Sequence, residues 1–161
     1  MARDTRYWRH REAWRRIKSA NENGYYFEAV TICESIIVDR LLSYVLGVSP
    51  NCNRKKLKSF GNVIEKWREL THRQPNDTLK QNDGSDLGQC VDDWRKNRNE
   101  VVHSLAKSHP GTKMMELNEF LALAKETATE GEELAKAVKA WQKKRLGEYQ
   151  RLQKSVRPSK E

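Results

Sequence analysis

An arginine and a histidine five residues apart, Arg98 and His103, lie in the run Arg98-Asn99-Glu100-Val101-Val102-His103. Histidine can remove or supply a proton near neutral pH, and a guanidinium can neutralise charge growing on a phosphate. The stretch around them, Asp92 to Leu105, has no Gly or Pro. Leu87, Cys90, Val91, Trp94, Val101, Val102 and Leu105 recur at three- and four-residue spacing, which predicts one amphipathic helix. Arg98 falls on its apolar stripe. Its neighbours one turn away are Trp94, Arg95, Val101 and Val102, so no carboxylate on its own helix can balance it. A cation left unpaired among apolar groups is costly. Arg98 must therefore meet an anion from elsewhere: Glu28, Glu34 or Asp39 on a packed helix, or the phosphate of a ligand. His103 is less enclosed, with Asn99 one turn before it and Lys107 one turn after. Five residues at about 100° each leave Arg98 and His103 roughly 140° apart around the axis and about 7.5 Å apart along it. Their tips converge only across the edge of a cleft.

The elements that must position this pair are helical. Residues from about Arg3 to Asn21 carry seven basic side chains, Arg3, Arg6, Arg9, Arg11, Arg15, Arg16 and Lys18, interleaved with Tyr7, Trp8 and Trp14. Tyr7, Trp14 and Ile17 fall near one face, as in a surface helix docked by an aromatic stripe; basic residues among aromatics also suit nucleic acid. Asn21-Glu22-Asn23-Gly24 reads as a stop and turn. Tyr25 to Leu46 is apolar around most of its circumference, the pattern of a central buried helix, with Gly47 as its expected cap. A helix from about Lys56 to His72 turns Leu57, Phe60, Ile64, Trp67 and Leu70 inward. Gln74 to Gly84 is polar and turn-rich, and Ser85 or Asp86 can cap the helix bearing Arg98. Ser108-His109-Pro110-Gly111 ends that helix. From about Thr112 to Ser155 a long helix is expected, with an inner stripe through Leu117, Phe120, Leu121, Ala124, Ala128, Leu134, Val138, Trp141 and Tyr149, and a bend at Gly131. No strand-period alternation and no internal repeat is present. The expected fold is all-α: one helical bundle of about five helices over residues 1–161, ending in a long helix whose last part, 136–161, is a basic extension.

Composition narrows the function classes. The chain has 161 residues, 31 Lys and Arg against 22 Asp and Glu, and a formal net charge of +9. Such an excess makes a polyanion the first partner to consider. It gathers in the first 18 residues and again from Lys136 to Lys160. No apolar run approaches the roughly 18 to 20 residues that span a bilayer, so no membrane partner is expected. The opening Met-Ala-Arg-Asp-Thr-Arg-Tyr-Trp lacks an apolar core, so the expected location is cytoplasmic. Cys33, Cys52 and Cys90, without paired short spacing, form neither a disulfide framework nor a zinc knuckle, and Cys33 and Cys90 read as core residues. A Gly-rich phosphate loop, a His-x-x-x-His or Cys-x-x-Cys pair and a Gly-x-Ser-x-Gly elbow are all missing. No metal or cofactor is expected. Of the other histidines, His10 sits among arginines, and His72 and His109 sit at expected helix ends, where the terminal carbonyls account for them.

Arg98-Asn99-Glu100-Val101-Val102-His103 resembles the Arg-x4-His signature of the HEPN superfamily (higher eukaryotes and prokaryotes nucleotide-binding). Its form is the Arg-Asn-x-x-x-His common among ribonuclease toxins and antiviral or abortive-infection proteins. Its position late in a helical bundle is similar too, and Gly24-Tyr25-Tyr26-Phe27-Glu28-Ala29-Val30 looks like the opening of the family's second helix. The resemblance covers about residues 5 to 130. It implies a metal-independent endoribonuclease in which the RNA 2′-hydroxyl attacks the adjacent phosphorus, leaving a 2′,3′-cyclic phosphate and a 5′-hydroxyl. His103 would transfer protons, Arg98 would balance the phosphorane and Asn99 would orient the imidazole or touch phosphate; Arg95, Lys96 and Lys107 on the same helix would hold RNA. Acid and base are both needed, so the resemblance implies a homodimer with a composite site, and an antitoxin or defence-system partner is in keeping with it. A non-catalytic HEPN-like module that binds nucleotide or protein, and a helical interaction protein in which Arg98 merely pairs with a core carboxylate, are the alternatives.

Overall fold

The computed structural model describes residues 2–72, 79, 81, 84–106 and 115–156. Five α-helices carry the chain: α1 (Ala2–Glu22), α2 (Tyr26–Val48), α3 (Phe60–His72), α4 (Leu87–Ala106) and α5 (Leu117–Val156), with a 3-10 turn at Arg54–Lys56. There is no strand among the described residues. The fold is the all-α bundle with a long final helix that the periodicity predicts.

Each junction has a local cause. Past α1, Gly24 adopts φ +75°, while Tyr25 N–H donates to Ala20 O at 2.8 Å and Gly24 N–H to Asn21 O at 3.4 Å. This pair of bonds around a left-handed glycine closes the helix end. At the start of α3, the Ser59 hydroxyl accepts from Asn62 N–H at 3.2 Å, so the helix begins after Ser59 and not near Lys56. Arg54–Lys56 instead form the short turn that the Asn53 side chain caps. Of the two candidate caps for α4, Asp86 takes the role, its Oδ1 accepting from Gln89 N–H at 2.8 Å.

Two glycines are defined by close contacts, and one of them departs from its expected role. Gly47 does not cap α2, which continues to Val48. A Cβ at Gly47 would stand 2.6 Å from Leu146 Cδ1, so its bare backbone makes room for the Leu146 side chain of α5. Gly131 lies inside α5, which runs as one helix from Leu117 to Val156. A Cβ there would lie 2.8 Å from Trp94 Cζ2, and the glycine is the floor on which the Trp94 ring rests.

Buried α2, through Ala29, Val30, Cys33, Ile36, Ile37, Leu41, Tyr44 and Val45, is the centre of the bundle. It packs most extensively on α5 and also on α1 and α3, while α4 leans mainly on α5. Trp141 of α5 lies edge-on to Tyr44 and Trp67, with ring centroids 4.7 and 5.2 Å away. Val138 and Gln142 are buried, and Tyr149 O–H donates to Val48 O at 3.3 Å. The stretch after Lys136 is thus part of the bundle through Tyr149. At the other end of α5 the expected inner stripe fails, for Leu117 and Leu121 are exposed. Tyr7 of α1 is exposed as well. Cys33 lies in the core and Cys90 packs against it, both with free thiols.

Candidate functional site

Two anchors fix α4. Trp94 Nε1–H donates to Thr127 O at 2.8 Å, with the indole on Gly131, and Leu87, Val91 and Val101 are buried. This face-down packing leaves Arg98 beside α2. Arg98 Nε–H donates to Glu34 Oε2 at 2.6 Å, and its Nη2 contacts the same oxygen. Its Nη1 donates to Asn99 Oδ1 at 2.8 Å. The two charged side chains are only 26% and 17% exposed, for Arg98 and Glu34 respectively. Low exposure strengthens such a charge-assisted fork and fixes the guanidinium plane.

Of the three carboxylates the sequence left open, the anion for Arg98 is Glu34. Glu28 approaches Arg16 instead, at 4.0 Å. Asp39 is exposed and lines a groove with Arg9 and His10. His10 in turn faces Arg40 Nη2, 2.5 Å from its Nε2.

Asn99 gives its carbonyl oxygen to Arg98, so that oxygen is committed away from His103. His103 is exposed near the end of α4, without a hydrogen-bond or ion-pair partner among the described residues. Arg98, Asn99 and Glu34 are thus brought together, and His103 stands apart on the solvent side.

The basic residues around the motif are less free than the sequence suggests. Arg95 pairs with Asp92 at 3.0 Å, and Lys96 with Asp93 at 2.9 Å and Asp92 at 3.3 Å. Burial works against ionisation of Asp92, but hydrogen bonds from Arg95 and Lys96 outweigh it and hold the carboxyl below its usual range. Gln89 and then Lys96 lower Asp93, and the same Asp93 and Asp92 raise Lys96. Lys107 lies outside the described residues.

A feature the motif reading missed lies on another side of α4. A groove of about 520 Å³ between α4 and α5 is lined by Cys90, Asp93, Trp94, Asn97, Glu130 and Glu133 among others. Burial, then Glu126, raises the Glu130 carboxyl, against a hydrogen bond from Asn97. The acidic run Glu126, Glu130, Glu133 at helical spacing was the signal for it. Arg98 and His103 do not line this groove, and the site they belong to is an open surface of α4. Compared with protein-family models, curated proteins and solved structures, the chain matches none.

Proposed function

We propose that the protein is a metal-independent endoribonuclease of the HEPN type, acting as a homodimer in toxin or antiviral defence. The observation that carries this reading is the contrast within one helix: Arg98 is clamped by Glu34 and Asn99, while His103, in the last turn of α4, is exposed and unpartnered among the described residues. A clamped guanidinium is preorganised to meet a phosphorane without moving. An open imidazole is available to a 2′-hydroxyl.

The chemistry then needs a second histidine. One His103 takes the proton from the 2′-hydroxyl as its oxygen attacks phosphorus, and the His103 of another copy protonates the departing 5′-oxygen. The products are a 2′,3′-cyclic phosphate and a 5′-hydroxyl. Val102 and Leu105 follow Arg98 at i+4 and i+7 on the same stripe, and Leu105 is 56% exposed. That apolar edge beside the motif is suited to pairing of two α4 helices.

The Arg98–Glu34 pair also favours a second reading, a non-catalytic helical module in which the pair only ties α4 to α2. Cleavage of RNA in EDTA by the wild type, Arg98→Ala and His103→Ala separates the two. Loss of activity in His103→Ala with the helical content unchanged supports the ribonuclease; equal activity in all three, or none in the wild type, removes it.

A further inference from the structure

The two basic segments of the sequence lie more than a hundred residues apart, yet the fold sets them side by side. Asn21 Nδ2–H donates to Glu132 Oε2 at 3.1 Å, and Lys139 Nζ sits 5.6 Å from the centroid of the Trp14 ring. Seven residues back along α1 therefore correspond to seven residues forward along α5, and the helices run antiparallel in register. In that register Tyr7 is level with Leu146 along the helix axis, and Arg11 with the turn that holds Lys143. Tyr7, Arg11, Trp14, Lys18 and Asn21 are spaced four, three, four and three apart, so they share one stripe of α1. Trp14 and Asn21 show that this stripe faces α5.

The seam is charged and aromatic together. Arg11, Lys139 and Lys143 have no ion pair among the described residues, in contrast with Arg15 and Arg16, which Glu12 holds. Tyr7, on the seam stripe, and Trp8, next to it on the side of α1 toward α2, are 62% and 58% exposed. Their rings meet at 5.6 Å and 76°, edge against face, which leaves ring surface open to solvent. The Arg11 guanidinium lies over Trp8, 5.4 Å from its centroid.

We infer that the exposed face of α1, from its seam with α5 across to Trp8, is a binding surface for single-stranded nucleic acid. Arg11, Lys139 and Lys143 track the phosphates, and Tyr7 and Trp8 stack on bases. Open aromatic faces beside unpaired cations are the recurrent means of holding a single strand without reading its sequence. An anionic membrane is the other polyanion, but a helix that lies in a bilayer buries a broad apolar face, of Trp, Phe or Leu, along its length, and the exposed apolar side chains of α1 are Tyr7 and Trp8 alone, at one end, among the described residues. The exposed side of α1 offers Tyr7, Trp8, Arg9, Arg11 and Lys18, with no Leu, Ile or Val. The surface is independent of the chemistry at α4, and it stands whether or not His103 cleaves RNA.

The test is fluorescence anisotropy of a labelled oligouridine of about 12 nucleotides, within the range of single-strand site sizes, titrated with the His103→Ala chain so that strand scission cannot intervene. Trp8→Ala and Tyr7→Ala should each weaken binding about tenfold, as loss of one stacked base does. Lys139→Gln and Lys143→Gln should each weaken it and reduce the slope of log K against log salt by about 0.7. Lys125→Gln, exposed and toward the other end of α5, should change nothing. These positions are exposed, and circular dichroism of each variant is the check that it remains folded. Affinity unchanged in the Trp8 and lysine variants, preference for a duplex of the same length, or binding to phosphatidylserine vesicles in place of oligouridine overturns the assignment.

Discussion

Arg98 spans from α4 to α2 and sets its Nε 2.6 Å from Glu34 Oε2, with both side chains largely shielded from water. Removing either partner strands the other. Arg98→Ala and Glu34→Ala should each lower unfolding stability by about 1 to 3 kcal/mol, the cost of a shielded charged group without its partner. The double variant should be less destabilised than the two single effects combined. Urea unfolding of the four proteins measures this, and strictly additive effects would show that the pair contributes no coupling.

Gly131 is held without a side chain by the Trp94 ring. The rigid indole, fixed by its bond to Thr127 O, has little room to withdraw from a Cβ placed 2.8 Å away. Gly131→Ala should therefore cost about 1 to 3 kcal/mol by overpacking, despite alanine's better helix propensity. A thermal midpoint equal to or above that of the wild type would contradict this packing.

Burial pushes the Cys33 thiol up to about 12, assisted by Glu132 and opposed by Lys136. The folded chain therefore keeps this proton at pH values where the unfolded chain, with an ordinary value near 9, has lost it. The stability associated with Cys33 is fully present below pH 9 and falls as pH rises from about 9 to about 12. Cys33→Ala should show less loss of stability across that window in urea unfolding. At neutral pH an alkylating reagent should modify Cys52 and Cys90 readily and Cys33 only on unfolding, as peptide mass mapping would reveal. Prompt native labelling of Cys33 would contradict its position.

Leu105 is the most exposed apolar side chain on the stripe that carries Arg98. A composite site requires this edge to meet another copy. Leu105→Glu should shift sedimentation at micromolar concentration toward the monomer and reduce RNA cleavage in parallel. A wild type that sediments as a monomer with full activity would rule out the shared site.

Much of this architecture was legible in the residues. The apolar circumference of α2 marks it as the centre, and helix geometry alone shows that Arg98 must look off its own helix for an anion. Which of Glu28, Glu34 and Asp39 answers it depends on the rotation of α2 against α4, and no local pattern encodes that. The close contacts of Gly47 and Gly131 are hidden for the same reason, since they depend on what lies opposite, Leu146 and Trp94. Leu117 and Leu121 fit the helical period of α5 but extend past the surface that the other helices cover. The antiparallel register of α1 and α5 likewise exists only after folding. In the sequence, Arg11 and Lys143 are two unrelated charges.

The most direct measurement of the central claim is the identity of the RNA ends produced in EDTA, read by mass spectrometry on a defined oligoribonucleotide. The wild type should yield 2′,3′-cyclic phosphate and 5′-hydroxyl ends, and His103→Ala, which removes only an exposed side chain, should slow their formation by about 10²- to 10⁴-fold, the usual contribution of an acid–base group. No such ends from the wild type, or the same rate from His103→Ala, would contradict the account.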